Sequence, residues 1–140
     1  MRRIVAVAVD DRHVAAATSL IDAGLYAEAE EFLLIGERDA NGARVVAAEV
    51  LRLRGNVLAA AGQSGAAEAK LREALAVARL QGARVFELRA ATDLAPLLKE
   101  HGKGREAAAL LRPIYGFFTE GLDAPDLKRA AAVLASLPTI

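Results

Sequence analysis

Ala67, Leu71, Ala74 and Ala78 follow the i, i+4, i+7, i+11 spacing of one helical stripe. Glu68 and Arg72 fall on another face at i, i+4, where opposite charges lend a helix slight support. Extended along the chain, this periodicity predicts helices near 11–23, 26–38, 43–61, 65–81, 83–101 and 104–118. A last helix is expected near 124–136, with Asp123 as its N-cap and Pro125 in its first turn. Residues 1–10 break the pattern. Ile4, Val5, Val7 and Val9 make a β-branched cluster suited to an extended arm.

The helices recur as units. A glycine, an alanine five positions on and a leucine four further appear as Gly24, Ala29, Leu33, then Gly62, Ala67, Leu71, then Gly102, Ala107, Leu111. The glycines stand 38 and 40 positions apart, and Gly42-Ala43-Arg44-Val45 returns 40 positions later as Gly82-Ala83-Arg84-Val85. Two landmarks on one period define an internal repeat. The glycine is expected to close the first helix in a left-handed conformation. The alanine is expected where the second helix crosses the first.

These positions resemble tetratricopeptide repeats. Leu51, Gly55, Leu58, Ala67, Leu71 and Ala74 match the signature in the second unit; Leu94, Ala95, Leu98, Gly102, Ala107 and Leu111 match it in the third. The first unit matches through Ala17, Leu20, Gly24, Tyr26, Ala29 and Leu33. The period exceeds the family's usual ~34 residues, which implies longer second helices or linkers, and Arg79 stands where the family carries a proline. The resemblance implies an all-α, tetratricopeptide-like α-solenoid. An arm at 1–10 would precede a repeat domain at 11–140, with units near 11–41, 42–81 and 82–121 and a capping helix within 122–140.

A narrower resemblance spans roughly residues 14 to 137. The runs Leu51-Arg52-Leu53-Arg54-Gly55, Glu87-Leu88-Arg89-Ala90-Ala91-Thr92 and Tyr115-Gly116-Phe117-Phe118-Thr119-Glu120-Gly121 carry it. They are similar to the C-terminal helical tail of bacterial multidomain proteins that join a class III nucleotide cyclase, or a DNA-binding regulator domain, to an AAA-type ATPase. Such tails are thought to sense or scaffold, not to catalyse. The implied identity is a stand-alone copy or a fragment of that tail.

Composition narrows the function classes. With 140 residues the chain can bury a sizeable single core. Its 33 alanines and few aromatics suit closely approaching helices better than a sheet. Eighteen basic residues balance 18 acidic ones, which argues against a nucleic-acid binder needing a basic excess. The absence of cysteine removes disulfides and thiolate metal sites. The apolar run Ile4 to Val9 is too short for a membrane span or a signal-peptide core, so the default expectation is a cytoplasmic protein.

Candidate chemistry is thin. His13 and His101 lie on different units, and His101 before Gly102 reads as a helix C-terminal residue suited to the dipole. Ser19, Ser64 and Ser136 lack a catalytic context. Asp10-Asp11 and Glu28, Glu30 and Glu31 read as a helix start and a solvated face. The glycines make no phosphate cradle. No catalytic residue, metal site or cofactor is expected, and the chain reads as a non-enzyme.

The family resemblance places a concave groove on the first helix of each unit, with candidate residues Glu49, Arg52, Asn56, Arg89, Thr92 and Lys99. Arg52 and Asn56 stand where chaperone-binding relatives place a Lys and an Asn that grip a peptide carboxylate. Asp93, where those relatives need an Asn, would repel such a ligand. The alternative is that Arg44, Arg52, Arg54, Arg84 and Arg89 pair with Glu49, Glu87 and Asp93 between helices. Pro96 inside a helix predicts a kink or a freed carbonyl facing the groove, and Pro113 is expected to interrupt a helix before Tyr115, Phe117 and Phe118. Those aromatics are expected to pack under the final helix.

The leading expectation is a non-catalytic scaffold binding a protein or peptide, and the alternative is a small-ligand or peptide sensor using the groove. A homodimer is also expected, because the N-terminal end lacks a polar capping helix and its arm would fold back or pair with a second chain.

Overall fold

A computed structural model describes residues 16, 19–20, 23–25, 27–28 and 47–138. Among them every regular element is an α-helix: α1 Ala47–Ala60, α2 Ser64–Gln81, α3 Arg84–Glu100, α4 Gly104–Gly116 and α5 Pro125–Ala135. The all-α expectation holds for these residues. The arm at 1–10 and most of the first unit lie outside the described residues. Within that unit, helical Ser19 and Leu20 and helical Ala27 and Glu28 flank Gly24.

The same turn recurs, and its chemistry explains why the helices stop where they do. Gly24, Gly62, Gly82 and Gly102 have φ of 78°, 83°, 64° and 76°, the left-handed region that glycine enters without a Cβ penalty. After each of the three later glycines the next amide reaches back five residues. Gln63 N–H donates to Leu58 O at 2.9 Å, Ala83 to Ala78 O at 2.9 Å and Lys103 to Leu98 O at 2.7 Å. These bonds satisfy carbonyls left over at each helix end. So short a turn forces the next helix to run antiparallel to the last.

The entry to α5 differs from expectation. Ala124, not Asp123, occupies the N-cap, with no side-chain cap, and Pro125 opens the helix. An Asp123 cap would require Ala124 to be helical, but the proline ring disfavours that conformation in its predecessor. Ala124 is accordingly extended, with φ −63° and ψ 146°.

Neither internal proline breaks its helix. Pro96 sits within α3 and Pro113 within α4, which continues to Gly116. Both rings are exposed. Pro113 lies in the last turn, where few helical bonds remain to lose. Around Pro96, fully buried Leu94, Ala95 and Leu98 supply packing against which the ~3 kcal/mol proline penalty is small.

Each helix packs on the next from α1 to α5. In addition α1 touches α3, and α3 touches α5. The α2 stripe expected from the sequence is the buried one, since Ala67, Leu71, Ala74 and Ala78 are all fully buried. Gly55 marks a close approach of α1 to α2: a Cβ there would lie 2.8 Å from Leu71 Cγ. Helix α3 contacts all four others and is buried nearly all round, charged residues included. That placement sets up the polar site.

Candidate functional site

Three alternate helices, α1, α3 and α5, bring together a cluster of charged side chains. On α1, Arg52 clasps Glu49 from one turn away, Nε to Oε2 at 2.9 Å and Nη2 to Oε1 at 3.1 Å. Its third nitrogen, Nη1, donates to Asp93 Oδ2 on α3 at 2.7 Å. Asn56 Nδ2 donates to the same oxygen at 3.0 Å. From α5, Arg129 donates to Asp93 Oδ1. One carboxylate thus joins three helices through both of its oxygens.

A second row runs beside the first. Arg89 on α3 donates through Nη1 to Glu49 Oε1 on α1 and through Nε to Asp126 Oδ2 on α5, both at 2.9 Å. The two rows read Glu49–Arg89–Asp126 and Arg52–Asp93–Arg129, alternating in sign from helix to helix and opposite in sign to each other. Three cations meet three anions, so the cluster is neutral. The Asp93 and Glu49 side chains are only 3% and 5% exposed. Charges so far from water persist only when paired and hydrogen-bonded, as these are. Burial alone would lower the Arg52 guanidinium, but the Glu49 hydrogen bond and the Asp93 charge outweigh it and raise Arg52 above its usual value. Arg89 is raised against burial in the same way by Asp126 and Glu49.

Of the expected groove residues, the structure gathers Glu49, Arg52, Asn56 and Arg89. Thr92 is turned inward: it is 1% exposed, and its hydroxyl donates to the Leu88 carbonyl at 2.7 Å. Lys99 is exposed near the end of α3. Asp93 does not face an open carboxylate position, because Arg52 and Asn56 are bound to Asp93 itself. The interhelical pairing read as the alternative is what the structure contains at Arg52 and Arg89. It recurs between α2 and α3, where Arg79 Nε lies 3.0 Å from Glu87; Arg84 Nη1, on the same helix as Glu87, lies at 3.7 Å. Asp126 and Arg129 were not anticipated. Their signal was the period itself: Asp126 follows Arg89 by 37 positions and Arg129 follows Asp93 by 36, close to the repeat.

A smaller cluster holds α2 to the α3–α4 turn. Glu68 Oε1 accepts from His101 Nδ1 at 2.6 Å, and Oε2 accepts from Lys103 Nζ at 3.1 Å and Arg72 Nε at 2.9 Å. Arg72 also reaches Glu106 on α4 at 2.9 Å. The His101 hydrogen bond, with Arg72 and Lys103 behind it, lowers the Glu68 carboxyl to about 2. His101 ends α3, as expected, and bridges two units. Among the described residues there is no group of three or more His, Asp or Glu side chains able to hold a metal ion, and no helix long and apolar enough to cross a membrane.

The aromatic cluster is only partly internal. Tyr115 and Phe118 pack against the core, but Phe117 is exposed, beneath the Arg84 guanidinium at 4.1 Å and edge-on to Phe118. No family model matches the chain, and no curated protein matches it either.

Proposed function

We propose that the chain is a tetratricopeptide-like repeat array that binds or assembles other proteins and does not itself catalyse a reaction. The observation that carries this reading is the residue-for-residue equivalence of α1–α2 and α3–α4. Gly55 and Ala95 occupy corresponding first-helix positions. Gly62 and Gly102 turn left-handed, and Ala67 and Ala107, with Leu71 and Leu111, are fully buried at the same places. Contacts of α1 with α3 and of α3 with α5 support this reading, since stacked hairpins would make them, with α5 in the place of one more first helix. Because each such unit buries its core against neighbours, the array presents a continuous face built from alternate helices.

The polar groups on that face satisfy one another. This favours a protein-binding scaffold over a small-ligand sensor, which would want convergent groups left for its ligand. The resemblance of residues 14–137 to cyclase–ATPase tails supports a scaffolding role.

The test is a quantitative pull-down from cells of the source organism. Wild type is compared with an Ala60→Arg, Lys99→Glu variant that alters two exposed first-helix positions. A protein retained stoichiometrically by the wild type and lost from the variant, with circular dichroism unchanged, is the expected outcome. Identical retained proteins for both would remove this face as the binding surface.

A further inference from the structure

Four of the five exposed large hydrophobic side chains among the described residues lie on one edge of the molecule: Leu80, Val85, Phe117 and Leu122. Leu80 and Val85 flank the α2–α3 turn, and Phe117 and Leu122 belong to the loop between α4 and α5. The Arg84 guanidinium over the Phe117 ring ties the two parts into one surface. The opposite edge, carrying Glu68, Arg72, His101 and Lys103, is polar and internally paired.

Charge on the apolar edge is divided. Among the described residues the α2–α3 corner carries Arg79 and Arg84 against the carboxylate of Glu87, an excess of one cation. The α4–α5 loop carries Glu120 and Asp123, both exposed. We propose that this edge is a docking surface for a second copy of the chain, the corner of each copy seated on the loop of the other. A two-fold axis makes the same contact twice. It places the corner's excess cation against the loop's two anions, and Leu80 and Val85 against Phe117 and Leu122. A parallel arrangement, corner on corner, would set cation against cation and anion against anion. The inference needs only the placement of these residues and stands apart from the repeat reading and from the N-terminal arm.

The surface is modest. Segments 79–85 and 117–124 together supply fewer than the roughly 20–30 residues a side of a stable interface, so the dimer is a weak one that forms as concentration rises.

Light scattering after size exclusion, on the full chain at micromolar to sub-millimolar loading, tests it. The wild type should pass from monomer to dimer mass over that range. Leu80→Glu, at a side chain left 88% exposed, should stay monomeric with an unchanged circular dichroism spectrum. Glu120→Arg with Asp123→Arg should also stay monomeric, and adding Arg84→Glu to that pair should restore the dimer. A monomeric wild type overturns the proposal, as does a Leu80→Glu or loop-reversed variant that dimerises like the wild type. A folded three-site variant that remains monomeric overturns the corner-on-loop arrangement.

Discussion

Gly55 and Gly62 are seven residues apart and are needed for different reasons. Gly62 has φ +83° and open space where a Cβ would go, so Gly62→Ala should cost only backbone strain, ~1–2 kcal/mol. Gly55 has ordinary helical backbone, but a Cβ would meet Leu71 Cγ at 2.8 Å. Gly55→Ala should therefore cost ~1–3 kcal/mol by overpacking, and in a Leu71→Ala background, which lacks the clashing Cγ, it should cost less. Urea midpoints of these variants check both claims. Ala67→Leu should behave like Gly55→Ala, again at ~1–3 kcal/mol, since Ala67 is fully buried at the same crossing. Lys70, on the same helix, is half-buried and paired with Glu73 at 3.2 Å, one turn on. Its replacement should cost no more than the ~0.2–0.5 kcal/mol of such a pair. These residue roles were legible because glycine and alanine have few reasons to recur at fixed spacing. A lysine's exposure was not, because its long stem lies along whatever surface its neighbours provide.

At the scale of elements, the five described helices fall within a few residues of the periodicity's prediction, and the departures come from proline. Pro125 moved the α5 cap from Asp123 to Ala124 through a constraint on the preceding residue. Pro113, near the end of α4, leaves that helix continuous to Gly116, as Pro96 leaves α3 continuous. The Glu68 cluster ties α2 to the α3–α4 turn and makes a pH prediction. Its carboxyl lies at about 2 in the folded chain against an ordinary 4.5, so the folded state favours the ionised form. The stabilisation is complete above about pH 4.5 and is lost progressively as pH falls towards about 2. Thermal melts should show Glu68→Gln less stable than wild type above that window, with the gap closing inside it. A gap that stays constant down to its lower end would mean that His101, Arg72 and Lys103 do not act through the carboxylate's charge.

For the whole molecule, the two charge rows matter most. Glu49, Arg52, Asn56 and Arg89 were recognisable in the sequence as candidates for one face, because the family resemblance assigned them to one surface. Which partner each would take was not recognisable, since that depends on how far the helices shift along one another. Asp126 and Arg129 belong to the terminal helix, and only the packing of α5 on α3 brings them to Arg89 and Asp93. The central claim is that these charges hold three helices together, so the face they occupy is built rather than vacant. The most direct measurement is the urea midpoint of Asp93→Asn against wild type at neutral pH. Neutralising Asp93 removes the counter-charge for Arg129 and half of that for Arg52, while Glu49 still holds Arg52. The account predicts a loss of about 2–3 kcal/mol in one cooperative transition, somewhat below the ~3–5 kcal/mol of fully stranding a buried charge. A midpoint unchanged or raised by Asp93→Asn would contradict it, because charges kept at a cost to stability belong to a ligand site rather than to a scaffold.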